Sequence, residues 1–209
     1  MQKIMFNDKY GLTDLVLSGQ KTQTRRIIKP QDERLDYLRG WNLDWGFAEF
    51  GRAGEEPLLR ILPHYYVGEE VAVAQSYRNV MVYLDECLRE EFFNTLKKEL
   101  CGDHMKTTGW TNKMFIKPDL MPHRIRIKQI RLERLQDISD DDCMREGIIE
   151  HIAEIMPNYP PYTQYCCGIS EVYCDTPRQA FAALIDKING KGTWASNPYV
   201  WAYDFELVK

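Results

Sequence analysis

The stretch GQKTQTRR, Gly19 to Arg26, sets one lysine, two threonines and two arginines directly behind a glycine. Residues of these types serve as solvated surface, as a cradle for an anion, or as part of a catalytic site. A carboxylate of interest stands far along the chain in SDDDCMREG, where Glu146 falls in the last turn of a short predicted helix. The partial negative charge of a helix end is an unfavourable place for an acid, so Glu146 is either an exposed residue at small cost or a functional one. Basic residues gather a second time in HRIRIKQIRLER, His123 to Arg134.

The elements that hold these residues follow from pattern and punctuation. TDLVLS, Thr13 to Ser18, predicts a short helix with Thr13 as N-cap and Gly19 just past its end. Residues 31–63 show no sustained period and read as an irregular excursion, parts of which suit a hairpin. VGEEVAVAQSY predicts a glycine turn and then a strand carrying Val71, Val73, Gln75 and Tyr77 on one face. From 81 to 100, Leu84, Leu88, Phe92, Leu96 and Leu100 recur every four residues, the mark of one amphipathic helix that Gly102 ends. In the strand that follows, Ile125 and Ile127 share one parity while Ile130 and Leu132 have the other, which predicts a bulge or bend near Lys128–Gln129. Ser139 is the N-cap of the next helix, Asp140 to Asp142 its first turn and Gly147 its exit. Pro157 to Pro177 reads as a long loop, RQAFAALIDKI as a helix, and NPYVWAYDFELVK as a half-buried strand whose Trp201, Tyr203 and Phe205 belong to the core.

With 209 residues, 44% hydrophobic and 28% charged, the chain can bury a core of its own. No internal repeat or disordered linker divides it, so residues 1–209 read as a single α+β domain, and the bent strands with short helices suggest a small barrel. A net charge of -4 argues against coating nucleic acid by charge alone, so any such contact is local. Cys87, Cys101, Cys143, Cys166, Cys167 and Cys174 lack the spacing of a zinc site, and free thiols are the expectation, with no metal and no cofactor. The polar start MQKIMFNDKYG lacks the apolar core of a signal peptide and no apolar run is long enough to span a membrane, which points to the cytoplasm.

Four stretches in order, SGQKTQTRR, VGEEVAVAQSY, LQDISDDDCMREGI and INGKGTWASNPYVWAYDFEL, resemble the ASCH domain family, a branch of the PUA-like barrels, in its longer phage- and bacteria-type members. Gly19, Lys21, Thr22, Thr24 and Arg26 fill that family's G-x-K-T-x-T-x-R pattern. The segments near 31–63, 80–118 and 149–176 have no counterpart in its smallest members and stand as insertions. Gln75 and Tyr77 depart from the pattern, since the longer members carry a glutamate and a tryptophan there.

The resemblance implies a PUA-like β-barrel with a cleft for RNA or a nucleoside. It also implies a catalytic set, since some small ASCH proteins are amidohydrolases that deacetylate N4-acetylcytidine with a lysine, a threonine and a glutamate. Those positions fall on Lys21, Thr24 and Glu146. Such a set supplies a base for an attacking water or threonine hydroxyl, a cation or donor for the oxyanion, and a proton for the leaving amine. Lys21 serves as the base only if burial lowers its pKa well below about 10.4; otherwise it is an electrostatic clamp. Lys21 and Thr24 would face opposite ways in an ideal strand, so their joint use requires irregular backbone between them.

The first expectation is an RNA- or nucleoside-binding protein. Arg25 and Arg26 would hold phosphate, Arg124 and Arg126 would extend the basic edge, Tyr77 or Trp194 would stack on a base, and Asn197 would read a base edge or serve a turn. The acylated-nucleoside amidohydrolase is the alternative. An interaction protein on a PUA-like scaffold, presenting the amphipathic helix at 81–100, is the third reading.

Overall fold

The computed structural model describes residues 1–29, 38–42, 46–51, 59–100, 104–153, 162–168 and 172–208. The chain starts with strand β1 (Lys3–Ile4) and a 3-10 turn, Asp8–Tyr10, that runs into helix α1 (Leu12–Leu17). Gly11, at φ 67°, is the N-cap of α1, a left-handed conformation that glycine adopts without strain. Thr13 therefore lies inside the helix and not at its cap, and its hydroxyl donates to Asp8. Gly19, at φ 77°, turns the chain out of the helix as expected, and strand β2 (Gln23–Ile27) follows.

Strands β3 (Leu38–Asn42), β4 (Phe47–Phe50) and β5 (Leu59–Ile61) pair as an antiparallel sheet, so the described part of the excursion is ordered around the suggested hairpin. Strand β6 (Glu70–Val73) stops short of Gln75. Ser76 accepts the Asn79 amide and caps helix α2 (Tyr77–Tyr83), which puts Tyr77 on a helix and not on the expected strand. The single helix expected over 81–100 is broken. Leu84 turns to ψ 143°, Asp85 caps a new helix α3 (Glu86–Glu99), and Leu88 is exposed while Phe92 and Leu96 are buried. Gly102 lies outside the described residues.

Strand β7 (Arg124–Arg134) leads through a 3-10 turn to helix α4 (Asp140–Arg145), where Ser139 accepts the Asp142 amide as its N-cap. Strands β8 (Ile148–Ala153) and β9 (Tyr162–Cys167) form a hairpin. Strand β9 puts regular structure into the stretch Pro157–Pro177 that read as a long loop; its outer half is solvent-exposed on both faces, which leaves no apolar alternation to read. Helices α5 (Pro177–Asn189) and α6 (Thr193–Ser196) and strand β10 (Tyr199–Val208) complete the described chain.

A five-stranded sheet in the order β1-β6-β7-β10-β2 organises the molecule, with β1 and β6 parallel and the other neighbours antiparallel. Asp204 faces Gln129 and Phe205 faces Ile127, so Lys128 is the extra residue of a bulge at the place the parity change predicted. It moves the buried series from Ile125 and Ile127 to Ile130.

The sheet does not close: β1 and β2 are its edges, and the described strands form no closed barrel. Side chains from outside the sheet seal the core instead, among them Leu12 and Val16 of α1, Phe50 of β4, and Phe181 and Leu184 of α5. One bend and ten-residue strands give curvature, but these flanking elements remove the need for β1 to reach β2. Trp201, Tyr203 and Phe205 lie in this core, as the alternation implied. A smaller core joins the far side of β6 to α2, α3, Ile116 and Met121.

Candidate functional site

Lys21 sits in the link between α1 and β2, outside regular strand geometry. Its amide donates to the Leu15 carbonyl at 2.8 Å, and the Thr22 amide donates to the Arg145 carbonyl at 3.0 Å. Strand alternation therefore does not separate Lys21 from Thr24, and both line one cavity of about 460 Å³ together with Glu146. That volume lies in the range of small-molecule sites. Phe6, Leu12, Phe181, Leu184 and Ile185 supply apolar walls, and Met5, Met114 and Ile188 stand exposed at the lining. The Thr24 hydroxyl has no hydrogen-bond partner among the described residues.

The ammonium of Lys21 donates to Glu146 Oε2 at 2.6 Å and to the Glu146 backbone carbonyl at 2.5 Å, with Lys21 2% and Glu146 4% exposed. Helix α4 ends on Glu146, and Gly147 at φ 101° turns the chain away against Leu15 and the Lys21 stem. Burial pulls the pKa of Lys21 down; Glu146 opposes that shift, and Arg26 adds to it.

The second carboxylate oxygen, Oε1, accepts from Arg25 at 3.2 Å. Arg25 also meets Glu133 at 2.6 Å and Asp142 at 2.9 Å, and donates to the Gln23 side-chain oxygen at 2.5 Å. Burial works against the Arg25 charge, but Glu146, Glu133 and Asp142 outweigh it and raise its pKa. Burial likewise disfavours ionised Asp142, yet Arg25, Gln23 and Arg131 hold its carboxyl below the usual range. Arg131 and Arg145 join Asp142 to Asp204, so four cations and four carboxylates form one network.

Comparison with family models, curated proteins and solved structures found no match. What this site can do is set by its geometry: an amine of lowered basicity, a carboxylate in contact with it, and a hydroxyl lining the same cavity. Among the described residues no group of His, Cys, Asp or Glu is arranged to hold a metal, and no helix is long and apolar enough to cross a membrane.

The other residues singled out in the sequence have different places. Arg25 is buried and committed to carboxylates, so it is not open to phosphate. Arg26 lines the cavity, donates to the Met5 carbonyl at 2.7 Å and lies over the Phe6 ring. Arg124 and Arg126 are outside the cavity, paired across the sheet with Glu70, and Arg126 reaches Glu206 as well. Tyr77 is buried in the smaller core, its hydroxyl accepting the Lys117 amide, and offers no stacking face. Trp194 packs edge-on against Phe181 and under Arg178. Asn197, at φ 45°, accepts the Gln136 amide and so performs the turn role.

Sequence reasoning missed Phe6 and Asn112 on the cavity lining, and Asp142, Glu133 and Asp204 in the network. Asp142 alone carried a local signal. It precedes Glu146 by one helical turn, a spacing that puts both carboxylates on one face of α4.

Proposed function

We propose that this chain is an amidohydrolase acting on an N-acylated nucleoside of the N4-acetylcytidine type. The observation that carries it is the buried Lys21–Glu146 pair at 2.6 Å on the lining of the cavity that Thr24 shares. The reading of an RNA-binding surface loses ground on a specific point. Arg25, one of the two arginines expected to hold phosphate, and Arg124 and Arg126, expected to extend the basic edge, are paired with carboxylates, while Arg26, the other phosphate candidate, donates to the Met5 carbonyl on the cavity lining. A half-open, partly apolar cavity of this volume fits a small acylated base better than a strand of phosphates.

Lys21, Glu146 and Thr24, which line one cavity, divide the chemistry. Lys21, its proton passed to Glu146, takes the proton of the Thr24 hydroxyl as that oxygen bonds to the acyl carbon. The tetrahedral oxyanion collapses, the carbon–nitrogen bond breaks, and the departing amino group of the base takes the proton from Lys21. Water then attacks the threonyl ester as Lys21 takes one of its protons, the bond from the acyl carbon to the Thr24 oxygen breaks, Lys21 returns that proton to the Thr24 oxygen, and acetic acid leaves. Burial favours the first step, because it lowers the basicity that otherwise keeps Lys21 an ammonium.

The same reading keeps the chain in the ASCH family on a PUA-like core. The bulged five-stranded sheet and the Lys21, Thr24 and Glu146 arrangement support it. It also implies a free nucleoside as the partner and the cytoplasm as the place where one is met. Titration with cytidine and acetate, followed by NMR, tests the reading. Shifts at Thr24, Phe6 and Glu146 are expected, whereas shifts confined to the Arg124–Arg126 face on adding RNA would overturn it.

A further inference from the structure

Glu146 touches two cations, one on each carboxylate oxygen: Lys21 at 2.6 Å and Arg25 at 3.2 Å. We propose that Arg25 is a positioning residue for the hydrolysis, holding Glu146 Oε1 so that the carboxylate's charge is divided between Arg25 and Lys21. The proposal rests on the amidohydrolase reading and goes beyond it. Arg25 fills a position that the G-x-K-T-x-T-x-R pattern leaves open.

Three features carry it. Arg25 is fixed, its side chain 1% exposed and its nitrogens bonded to Glu133, Asp142, Gln23 and Glu146. Asp142 and Glu146 stand one turn apart on α4, so one guanidinium grips the helix at both residues and sets where its last carboxylate points. Glu146 is buried, so the direction of its charge is not blurred by solvent.

Among the described residues, two charged or titratable groups besides Glu146 act on Lys21. Arg26 on β2 is a cation beside it, and Cys167 on β9 stays a neutral thiol because burial pushes it up to about 11. Asp8 and Lys113, also on the cavity lining, pair with each other at 2.7 Å. Arg25 is thus the partner that competes with Lys21 for Glu146. Removing it returns the whole carboxylate charge to Lys21 and holds Lys21 in its protonated form. Removing Glu133 acts in reverse, because Arg25 then has one carboxylate fewer and falls more fully on Glu146.

The test is a titration of Lys21 followed by NMR in protein carrying ¹³C-labelled lysine, with Lys21→Arg used for assignment. Wild type, Arg25→Gln and Glu133→Gln are compared, each checked for folding by thermal melting. The Lys21 midpoint is expected to rise by about one unit in Arg25→Gln, the size of a single close charge effect, and to fall in Glu133→Gln. Mere loosening of the site would wet Lys21 and raise the midpoint in both variants. Midpoints that do not move, or that move the same way, overturn the proposal, and if Arg25→Gln fails to fold, a rise in Glu133→Gln does so alone.

In the kinetic arm, Arg25→Gln lowers kcat for N4-acetylcytidine about tenfold at neutral pH with KM little changed. Its acid limb moves to higher pH, and Arg25→Lys restores part of that limb. Opposite midpoint shifts without turnover in any form would uphold the division of charge while sinking the assigned reaction.

Discussion

Lys21 experiences two opposing influences. Burial strips the ammonium of water and lowers its pKa, while Glu146 at 2.6 Å favours the charged form. Burial is the larger, so the activity is predicted to rise with pH through the lowered Lys21 midpoint, the reverse of a reaction that needs the ammonium. The sign for stability agrees. Between that midpoint and the ordinary value of 10.5 the unfolded chain binds a proton the folded one lacks, so the Lys21 contribution to stability grows with pH across this window. Urea unfolding of wild type and Lys21→Met across that range checks it, the rise being absent in the variant. Thr24→Val keeps the shape of the side chain and deletes the hydroxyl proposed as nucleophile. It is predicted to cut kcat by at least about 100-fold while leaving the melting temperature nearly unchanged, as measured by steady-state kinetics and calorimetry.

At the scale of elements, α4 and its exit turn set the site. Gly147 adopts φ 101°, and an added Cβ would meet Leu15 at 3.0 Å and the Lys21 stem at 3.6 Å. Gly147→Ala is therefore predicted to cost about 2 kcal/mol in urea unfolding and to lower kcat by displacing Lys21. The start of α4 was legible in the sequence because caps are local: Ser139, the aspartates of the first turn and Gly147 lie within nine residues. The bulge at Lys128 was legible for a related reason, since isoleucines of changed parity within one strand record it. What the elements pair with was not legible. Glu70 and Glu206 neutralise Arg126 from strands far away in sequence, so a basic run in β7 reads as a free edge until the register is known. The break at Leu84 was hidden because the four-residue spacing continues through it, and Asp85 has the composition of an exposed helical residue as well as of a cap.

Across the whole molecule, a net charge of -4 combines with arginines, among them Arg25, Arg126 and Arg131, already held by carboxylates. RNA affinity is therefore predicted to be weak and to change little with salt, since few condensed counterions would be released. Filter binding of a short RNA at two salt concentrations checks this, and a steep slope would speak for a phosphate-binding surface. The segment around 104–121 belongs to the smaller core and also lends Asn112, Lys113 and Met114 to the cavity lining. Lys113 ties that segment to Asp8 and the Phe6 carbonyl. The resemblance left this insertion without a counterpart, and its place at the cavity depends on contacts more than a hundred residues apart, which no local pattern encodes.

The most direct measurement follows cytidine released from N4-acetylcytidine by chromatography, using wild type and Lys21→Ala side by side. Turnover by the wild type, lost in the variant while its fold persists, is the predicted result. No cytidine from folded wild-type protein, or equal release by Lys21→Ala, would contradict the assignment of Lys21, Thr24 and Glu146 to this chemistry.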